Sequence, residues 1–197
     1  MNLKYLGDAL DHWKGSLFEY LDNAGVLRGF AVDPMTSDHP KWKKPDFSLY
    51  AQLLRVKNTQ IIPRRSTTLY RRRYNGVTSH SGDLFLDPDT GIATGPVTQK
   101  NQYIMPREIA SLLPESTDRL LAVYQHVSRQ KVSSRVGVVI DRLTEKIDGF
   151  GWCSYESGTV AMIFISRHPS RTQDVATVFK TLLGRHVVQR VRAGVRK

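Results

Sequence analysis

The stretch DLFLDPDTG, Asp83 to Gly91, joins a short apolar run to a turn with two acidic residues. Three consecutive apolar residues, Leu84 to Leu86, predict a short strand that is buried on both faces of a sheet. The proline and the glycine that follow favour a tight turn, because proline restricts the backbone and glycine tolerates turn conformations. The stretch therefore predicts a buried strand that ends in a turn carrying two carboxylates, Asp87 and Asp89.

Apolar runs and amphipathic stretches alternate on both sides of this strand. They predict further strands at 26–33, 59–63 and 119–126. They also predict helices at 8–22, 47–56, 106–114, 133–147 and 172–183. The helix at 133–147 is expected to begin with a serine N-cap. Two β-type runs around Glu156–Gly158 predict a closing hairpin that adds an antiparallel edge. Strands that alternate with helices form parallel sheets covered on both faces. We therefore expect an α/β, Rossmann-like three-layer sandwich with a mostly parallel sheet and a C-terminal antiparallel hairpin.

The chain of 197 residues suits a single domain, which we place at residues 1–184, followed by a disordered basic tail at 185–197. A single cysteine, Cys153, excludes an internal disulfide framework and a cysteine-based zinc site. We expect no membrane partner and a cytoplasmic location, since the sequence has neither an apolar run of about 20 residues nor a secretory signal. The net charge of +11 indicates an anionic partner, and nucleic acid is the most common one.

The positive charge is concentrated in two segments that also contain aromatic residues, HPKWKKP at 39–45 and PRRSTTLYRRRY at 63–74. Aromatic side chains among cations are typical of single-stranded nucleic-acid binding, where bases stack on rings while Lys and Arg neutralise phosphate. The alternative is a solvated surface. The candidate nucleic-acid-binding residues are Lys41, Trp42, Lys43, Lys44, Arg64, Arg65, Tyr70, Arg71, Arg72 and Arg73.

Polar residues lie at the ends of three of the predicted strands. Asp33 lies at the end of the first strand, Asp87 and Asp89 follow the third, and His126 lies at the end of the fourth. The carboxyl ends of parallel strands are where ligands bind in open α/β sheets. Two close carboxylates could hold Mg²⁺ or Mn²⁺, one could accept a hydrogen bond from an amino group, and histidine can act as acid, base or ligand. Tyr124 is expected on the same side of its strand as His126. The alternative is that these strands end in ordinary polar turns.

The first helix contributes Asp8, Asp11 and Lys14, spaced three residues apart on its polar face. Negative charge is also favourable at a helix N-terminus. The spacing alone favours the interpretation that Asp11 and Lys14 form only a surface ion pair.

Three motifs in this order resemble those of a family of uncharacterised bacterial and phage proteins. They are Gly-Asp-x-x-Asp-x-x-Lys at 7–14, Asp-Pro-Asp-Thr-Gly at 87–91 and Tyr-Gln-His at 124–126. The first two also resemble, more distantly, motifs of the large-subunit ribosomal RNA adenine-N6 methyltransferases. This second resemblance implies a Rossmann core, S-adenosylmethionine as cofactor and Asp87 as the acceptor for an adenine amino group.

The sequence departs from the methyltransferase pattern at Asp89, which replaces a proline, and at Thr90, which replaces the aromatic residue that would stack on the base. No glycine-rich loop follows the first strand, so the cofactor site is either rebuilt from Asp33 and its neighbours or lost. The resemblance makes Asp8, Asp11 and Asp33 the candidate cofactor-binding residues.

Three functions follow from these observations. The first is S-adenosylmethionine-dependent modification of a nucleic-acid base, with Asp87 orienting the amino group and Lys14 and His126 shaping the pocket. The second is a metal-dependent nuclease or phosphodiesterase, in which Asp87 and Asp89 hold Mg²⁺ or Mn²⁺ and Lys14 stabilises charge on phosphate. The third is a non-catalytic nucleic-acid-binding protein. The candidate catalytic residues are Asp87, Asp89, Lys14 and His126.

Overall fold

The structure is a computed structural model that describes residues 1–38, 41–62, 80–127, 130–184 and 188–197. Its helices are α1 (Ala9–Asn23), α2 (Lys44–Leu53), α3 (Pro106–Leu112), α4 (Val132–Thr144) and α5 (Pro169–Leu183). Its strands are β1 (Ala31–Asp33), β2 (Leu84–Leu86), β3 (Gly91–Ile92), β4 (Tyr103–Ile104), β5 (Leu121–His126), β6 (Phe150–Ser157), β7 (Val160–Ser166) and β8 (Val191–Arg196). Among the helices described, none is both long and apolar enough to cross a bilayer.

The main sheet has six strands in the order β1-β2-β5-β7-β6-β8. β1, β2 and β5 pair in parallel, with Val32 opposite Phe85 and Phe85 opposite Ala122. β7 is antiparallel to β5, β6 is antiparallel to β7, and β8 is antiparallel to β6. β3 and β4 form a separate parallel pair. The sheet is therefore mixed, and the carboxyl ends of β1, β2 and β5 lie at one edge of it.

Helices cover both faces of this sheet, which confirms the predicted α/β class. In β2, Phe85 belongs to one apolar cluster, whereas Leu84 and Leu86 belong to the other. Residues of α1, α2 and α5 pack in the cluster of Phe85, and residues of α3 and α4 pack in the cluster of Leu84. All three strand residues are fully buried. The apolar run is thus buried on both sides, because successive side chains of a strand point to opposite faces.

Several elements differ from the sequence-based predictions. The predicted strand at 59–63 is a 3₁₀ turn, Asn58–Gln60, followed by a single bridge between Ile61 and Val32. The predicted strand at 26–33 is reduced to its last three residues, because Gly29 adopts a positive φ of 54° and interrupts the extended run. The N-cap of α4 is Lys131 and not a serine. The hairpin of β6 and β7 lies inside the sheet, and β8 forms the edge.

The prediction of a disordered arm is wrong for Val191–Arg196, because these residues form β8, which pairs with β6. Val191 is buried, Arg192 donates to Glu156 at 2.6 Å, and Arg196 donates to Asp141 at 2.8 Å. The density of positive charge suggested disorder, but apolar and basic residues alternate in this segment. Pairing with β6 and these two ion pairs hold the segment as a strand, although Ala193 and Val195 are exposed.

Candidate functional site

A pocket of about 330 Å³ lies between the segment that precedes α1, the start of α1 and the carboxyl ends of β2 and β5. It brings together all of the residues for which the sequence predicts catalysis or cofactor binding except Asp33. These lining residues are Asp8, Asp11, Lys14, Asp87, Asp89 and His126. Tyr124 also lines the pocket, as its position two residues before His126 predicts.

Lys14 connects the first helix to the turn after β2. Its Nζ lies 3.0 Å from Asp11 Oδ1 and 2.8 Å from Asp87 Oδ2, and all three side chains are buried. Gly15 allows α1 to approach α2 closely, because a Cβ at this position would lie 2.1 Å from the carbonyl oxygen of Leu53. The pair of Asp11 and Lys14 is therefore part of a buried ionic cluster rather than a surface pair.

The charges of this cluster are interdependent. Burial opposes the charged form of Lys14, but the nearby carboxylates of Asp87 and Asp11 outweigh it, and the pKa of Lys14 is raised. Burial also raises the pKa of Asp11, and the ammonium group of Lys14 partly offsets this effect. Lys14 is therefore protonated at neutral pH and compensates two buried acidic groups.

Tyr50, which the sequence analysis did not select, is the second donor to Asp87. Its hydroxyl lies 2.5 Å from Oδ2, the oxygen that also accepts from Lys14. Burial, followed by the charge of Asp87, raises the pKa of Tyr50 well above its usual value, so the phenol stays protonated. The ring of Trp42 contacts Tyr50 edge-on, with ring centroids 6.0 Å apart. No local sequence signal identifies Tyr50, because the turn it contacts lies far along the chain.

Asp89 has a different cationic partner. The α-amino group of Met1 lies 2.9 Å from Asp89 Oδ1 and also donates to the carbonyl oxygens of Asp87, at 2.8 Å, and Met35, at 2.9 Å. Burial lowers the pKa of this amino group, and the charges of Asp87 and Asp89 oppose the shift. Asp8 has a structural role in addition to lining the pocket, since its Oδ1 accepts from the backbone N–H of the first turn of α1 as the N-cap.

The turn after β2 is attached to β5 through Gln125. Its side chain accepts from Ile92 N–H at 2.8 Å and donates to Thr90 O at 3.1 Å, while His126 N–H donates to Thr90 O at 2.9 Å. Gly91 has a φ of 120°, and a Cβ there would lie 2.5 Å from the amide group of Gln125. Both the positive φ and this close approach favour glycine at position 91. The hydrogen bonds of Gln125 and His126 attach the turn that carries Asp87 and Asp89 to β5.

Asp33 does not line the pocket, in contrast to the prediction for it. It is fully buried, and its Oδ1 accepts from Met35 N–H at 2.9 Å. Met35 is itself fully buried with a φ of 43°, and Thr36 is buried as well. The resemblance to methyltransferases places the methionine part of S-adenosylmethionine after β1. The residues present do not fit that group, because buried side chains fill the end of this strand.

The residues described also provide little for a metal ion. No group of three or more His, Cys, Asp or Glu side chains that could hold a metal is found among them. The ammonium group of Lys14 lies between Asp11 and Asp87, and the α-amino group of Met1 lies against Asp89. These positive charges already compensate Asp11, Asp87 and Asp89, and they oppose the approach of a divalent cation to the same carboxylates.

The predicted role of Trp42 as a base-stacking surface is wrong. Trp42 is buried, donates from Nε1 to Asp38 at 3.0 Å and packs against Phe47 and Tyr50. Its lysine neighbours are exposed, namely Lys41, Lys43 and Lys44. The arginine- and tyrosine-rich candidates lie outside the described residues, namely Arg64, Arg65, Tyr70, Arg71, Arg72 and Arg73.

Comparison of the chain with known protein families finds no matching family model, and comparison with curated proteins finds no significant match.

Proposed function

We propose that the pocket binds a nucleic-acid base that carries an exocyclic amino group, that this amino group donates to Asp87, and that the chain is a nucleic-acid-acting protein with a Rossmann-like fold. One observation carries the proposal. Lys14 and Tyr50 both donate to Oδ2 of Asp87, whereas Oδ1 accepts no hydrogen bond from the part of the chain that the structure describes. Asp87 therefore lines the pocket with an oriented carboxylate that retains an acceptor atom.

The charges of the lining favour a donor over an anion. Carboxylates of Asp8, Asp11, Asp87 and Asp89 line the pocket, and buried ammonium groups neutralise them only in part. Two like charges 4 Å apart repel by about 4 kcal/mol at the effective dielectric constant near a protein surface. A phosphate group is thus disfavoured inside the pocket, while an amino group gains charge-assisted hydrogen bonds.

The size of the pocket supports a single small ligand. Its volume of about 330 Å³ lies at the lower end of the range for small-molecule sites. A base fits within such a volume, whereas a base together with a complete nucleoside cofactor does not. The end of β1 is filled by buried side chains as well, so the proposed function is binding of a base without methyl transfer.

The net charge of +11 supports nucleic acid as the source of the base. The parallel strands β1, β2 and β5, with helices on both faces and a pocket at their carboxyl ends, support the Rossmann-like assignment.

Binding of matched nucleosides tests the proposal. Adenosine and cytidine carry an exocyclic amino group, and inosine and uridine carry a carbonyl oxygen in its place. We expect the amino-bearing member of each pair to bind about 10- to 100-fold more tightly by calorimetry, since a hydrogen bond to a charged group contributes about 1.5–3 kcal/mol.

Asp87→Asn should remove this preference. The matched control is Asp118→Asn, since Asp118 forms an exposed ion pair with Arg28. Mn²⁺ should leave the melting temperature unchanged. Equal affinities within both nucleoside pairs, or a preference that persists in Asp87→Asn, would refute the proposal.

A further inference from the structure

Tyr5 is an exposed aromatic residue of the pocket lining that belongs to none of the sequence motifs. It ends the 3₁₀ turn Leu3–Tyr5 that precedes α1. Its side chain is 50% exposed, whereas Tyr124, the other tyrosine of the lining, is only 5% exposed. Tyr5 therefore offers the pocket an aromatic ring that is half exposed to solvent.

A cation accompanies this ring. The ammonium group of Lys4 lies 4.5 Å from the centroid of the Tyr5 ring, and Lys4 also lines the pocket. Lys4 is exposed, whereas Lys14 is buried. An exposed ring beside an exposed cation is the combination with which proteins bind unpaired nucleotides, because the ring stacks on the base and the cation neutralises phosphate.

The charged residues of the lining determine the orientation in which a nucleotide would bind. The carboxylates of Asp11 and Asp87 are buried and favour the amino group of a base, while they repel phosphate. Lys4 lines the pocket and is exposed, so its ammonium group can contact the phosphate of a bound strand. The amino edge of a base then lies inward at Asp87, and its phosphate lies outward at Lys4.

We infer that Tyr5 and Lys4 form the outer part of the base site, and that the ligand is an unpaired nucleotide within a nucleic-acid strand. Tyr5 stacks on the base whose amino group reaches Asp87, and Lys4 neutralises the adjoining phosphate. The inference rests on the proposed function. It excludes paired bases, because the stacked neighbours of a duplex cover both faces of a base and its partner strand occupies the amino group.

The test uses a short single-stranded oligothymidylate with one central adenine. Thymine has no exocyclic amino group, so the adenine supplies the single amino group of the oligonucleotide that can donate to Asp87. We expect Tyr5→Ser to weaken binding about 5- to 100-fold, and Tyr5→Phe to bind within about twofold of wild type, since phenylalanine also stacks. Tyr20→Ser is the matched control, because Tyr20 is 41% exposed and is not part of the lining. Lys4→Gln should reduce the slope of log K against log salt by about 0.7.

Two comparisons separate the failure of this inference from the failure of the proposed function. If Tyr5→Ser binds as tightly as Tyr20→Ser while Asp87→Asn loses the preference for adenine over hypoxanthine in the oligonucleotide, the inference is wrong and the proposed function stands. If wild-type protein shows no preference between adenine and hypoxanthine, both are wrong. Tighter binding to the annealed duplex than to the single strand would also overturn the inference.

Discussion

Replacement of Lys14 by methionine tests the buried ionic cluster directly. Methionine preserves much of the length of the lysine side chain but removes the ammonium group that lies 3.0 Å from Asp11 and 2.8 Å from Asp87. Loss of one partner from a buried ion pair costs about 3–5 kcal/mol, because the remaining charge is uncompensated. For a chain of 197 residues, each kcal/mol lowers the melting temperature by about 2–4 °C. We therefore expect a decrease of about 6–20 °C at pH 8.

The loss of stability should depend on pH in a defined direction. Burial raises the pKa of Asp11, and Lys14 is the main opposing influence, so removal of Lys14 raises this pKa further. A carboxyl group whose pKa is higher in the folded than in the unfolded protein takes up a proton on folding. The deficit of Lys14→Met relative to wild type should thus be largest above the folded pKa. It should shrink as the pH falls through that value towards the unfolded value of about 3.9.

Urea unfolding of both proteins at pH 8 and pH 5 measures this difference. Lys44→Met is the matched control, since Lys44 is exposed in the first turn of α2, and it should change the free energy of unfolding by less than about 0.5 kcal/mol. A deficit of less than 1 kcal/mol for Lys14→Met, or a deficit of equal size at both pH values, would show that the three groups are not coupled as described.

Two further substitutions test the surroundings of Asp87. Tyr50→Phe removes the hydroxyl that lies 2.5 Å from Asp87 and should lower the free energy of unfolding by about 1.5–3 kcal/mol in urea titrations. Tyr20→Phe, at an exposed position, should have almost no effect. Gly91→Ala places a Cβ 2.5 Å from the Gln125 amide at a φ of 120°, so it should destabilise the protein by about 1–3 kcal/mol and weaken binding of adenosine. If Gly91→Ala unfolds like wild type, Gln125 does not constrain the turn.

Much of the site could be predicted because its residues follow local rules. The apolar run before Asp87 predicts a strand, and the amphipathic pattern at 8–22 predicts the helix that carries Asp11 and Lys14. The carboxyl ends of parallel strands meet at one edge, so the residues after β2 and β5 were expected close together, and Asp87, Asp89 and His126 do line one pocket.

The predictions that failed depend on burial rather than on local pattern. Trp42 lies among lysines in the sequence, yet its ring is buried while the lysine side chains point to solvent. Asp33 ends β1 and Asp87 directly follows β2, but Asp33 is buried outside the pocket. Basic residues of the C-terminal segment suggested disorder, whereas β6 provides Val191–Arg196 with a partner strand. In each case the neighbours in space, and not in sequence, determine the environment.

The sequence by itself determined the α/β class and the acidic turn at 87–89, because hydrophobic periodicity and turn chemistry are local properties of a chain. Only the tertiary structure decided what the turn contacts. Lys14 lies 73 residues and Tyr50 37 residues before Asp87, and both donate to the same carboxylate oxygen. The physical reason is that a buried carboxylate requires compensating donors, and long-range packing of α1 and α2 on the sheet determines which side chains supply them.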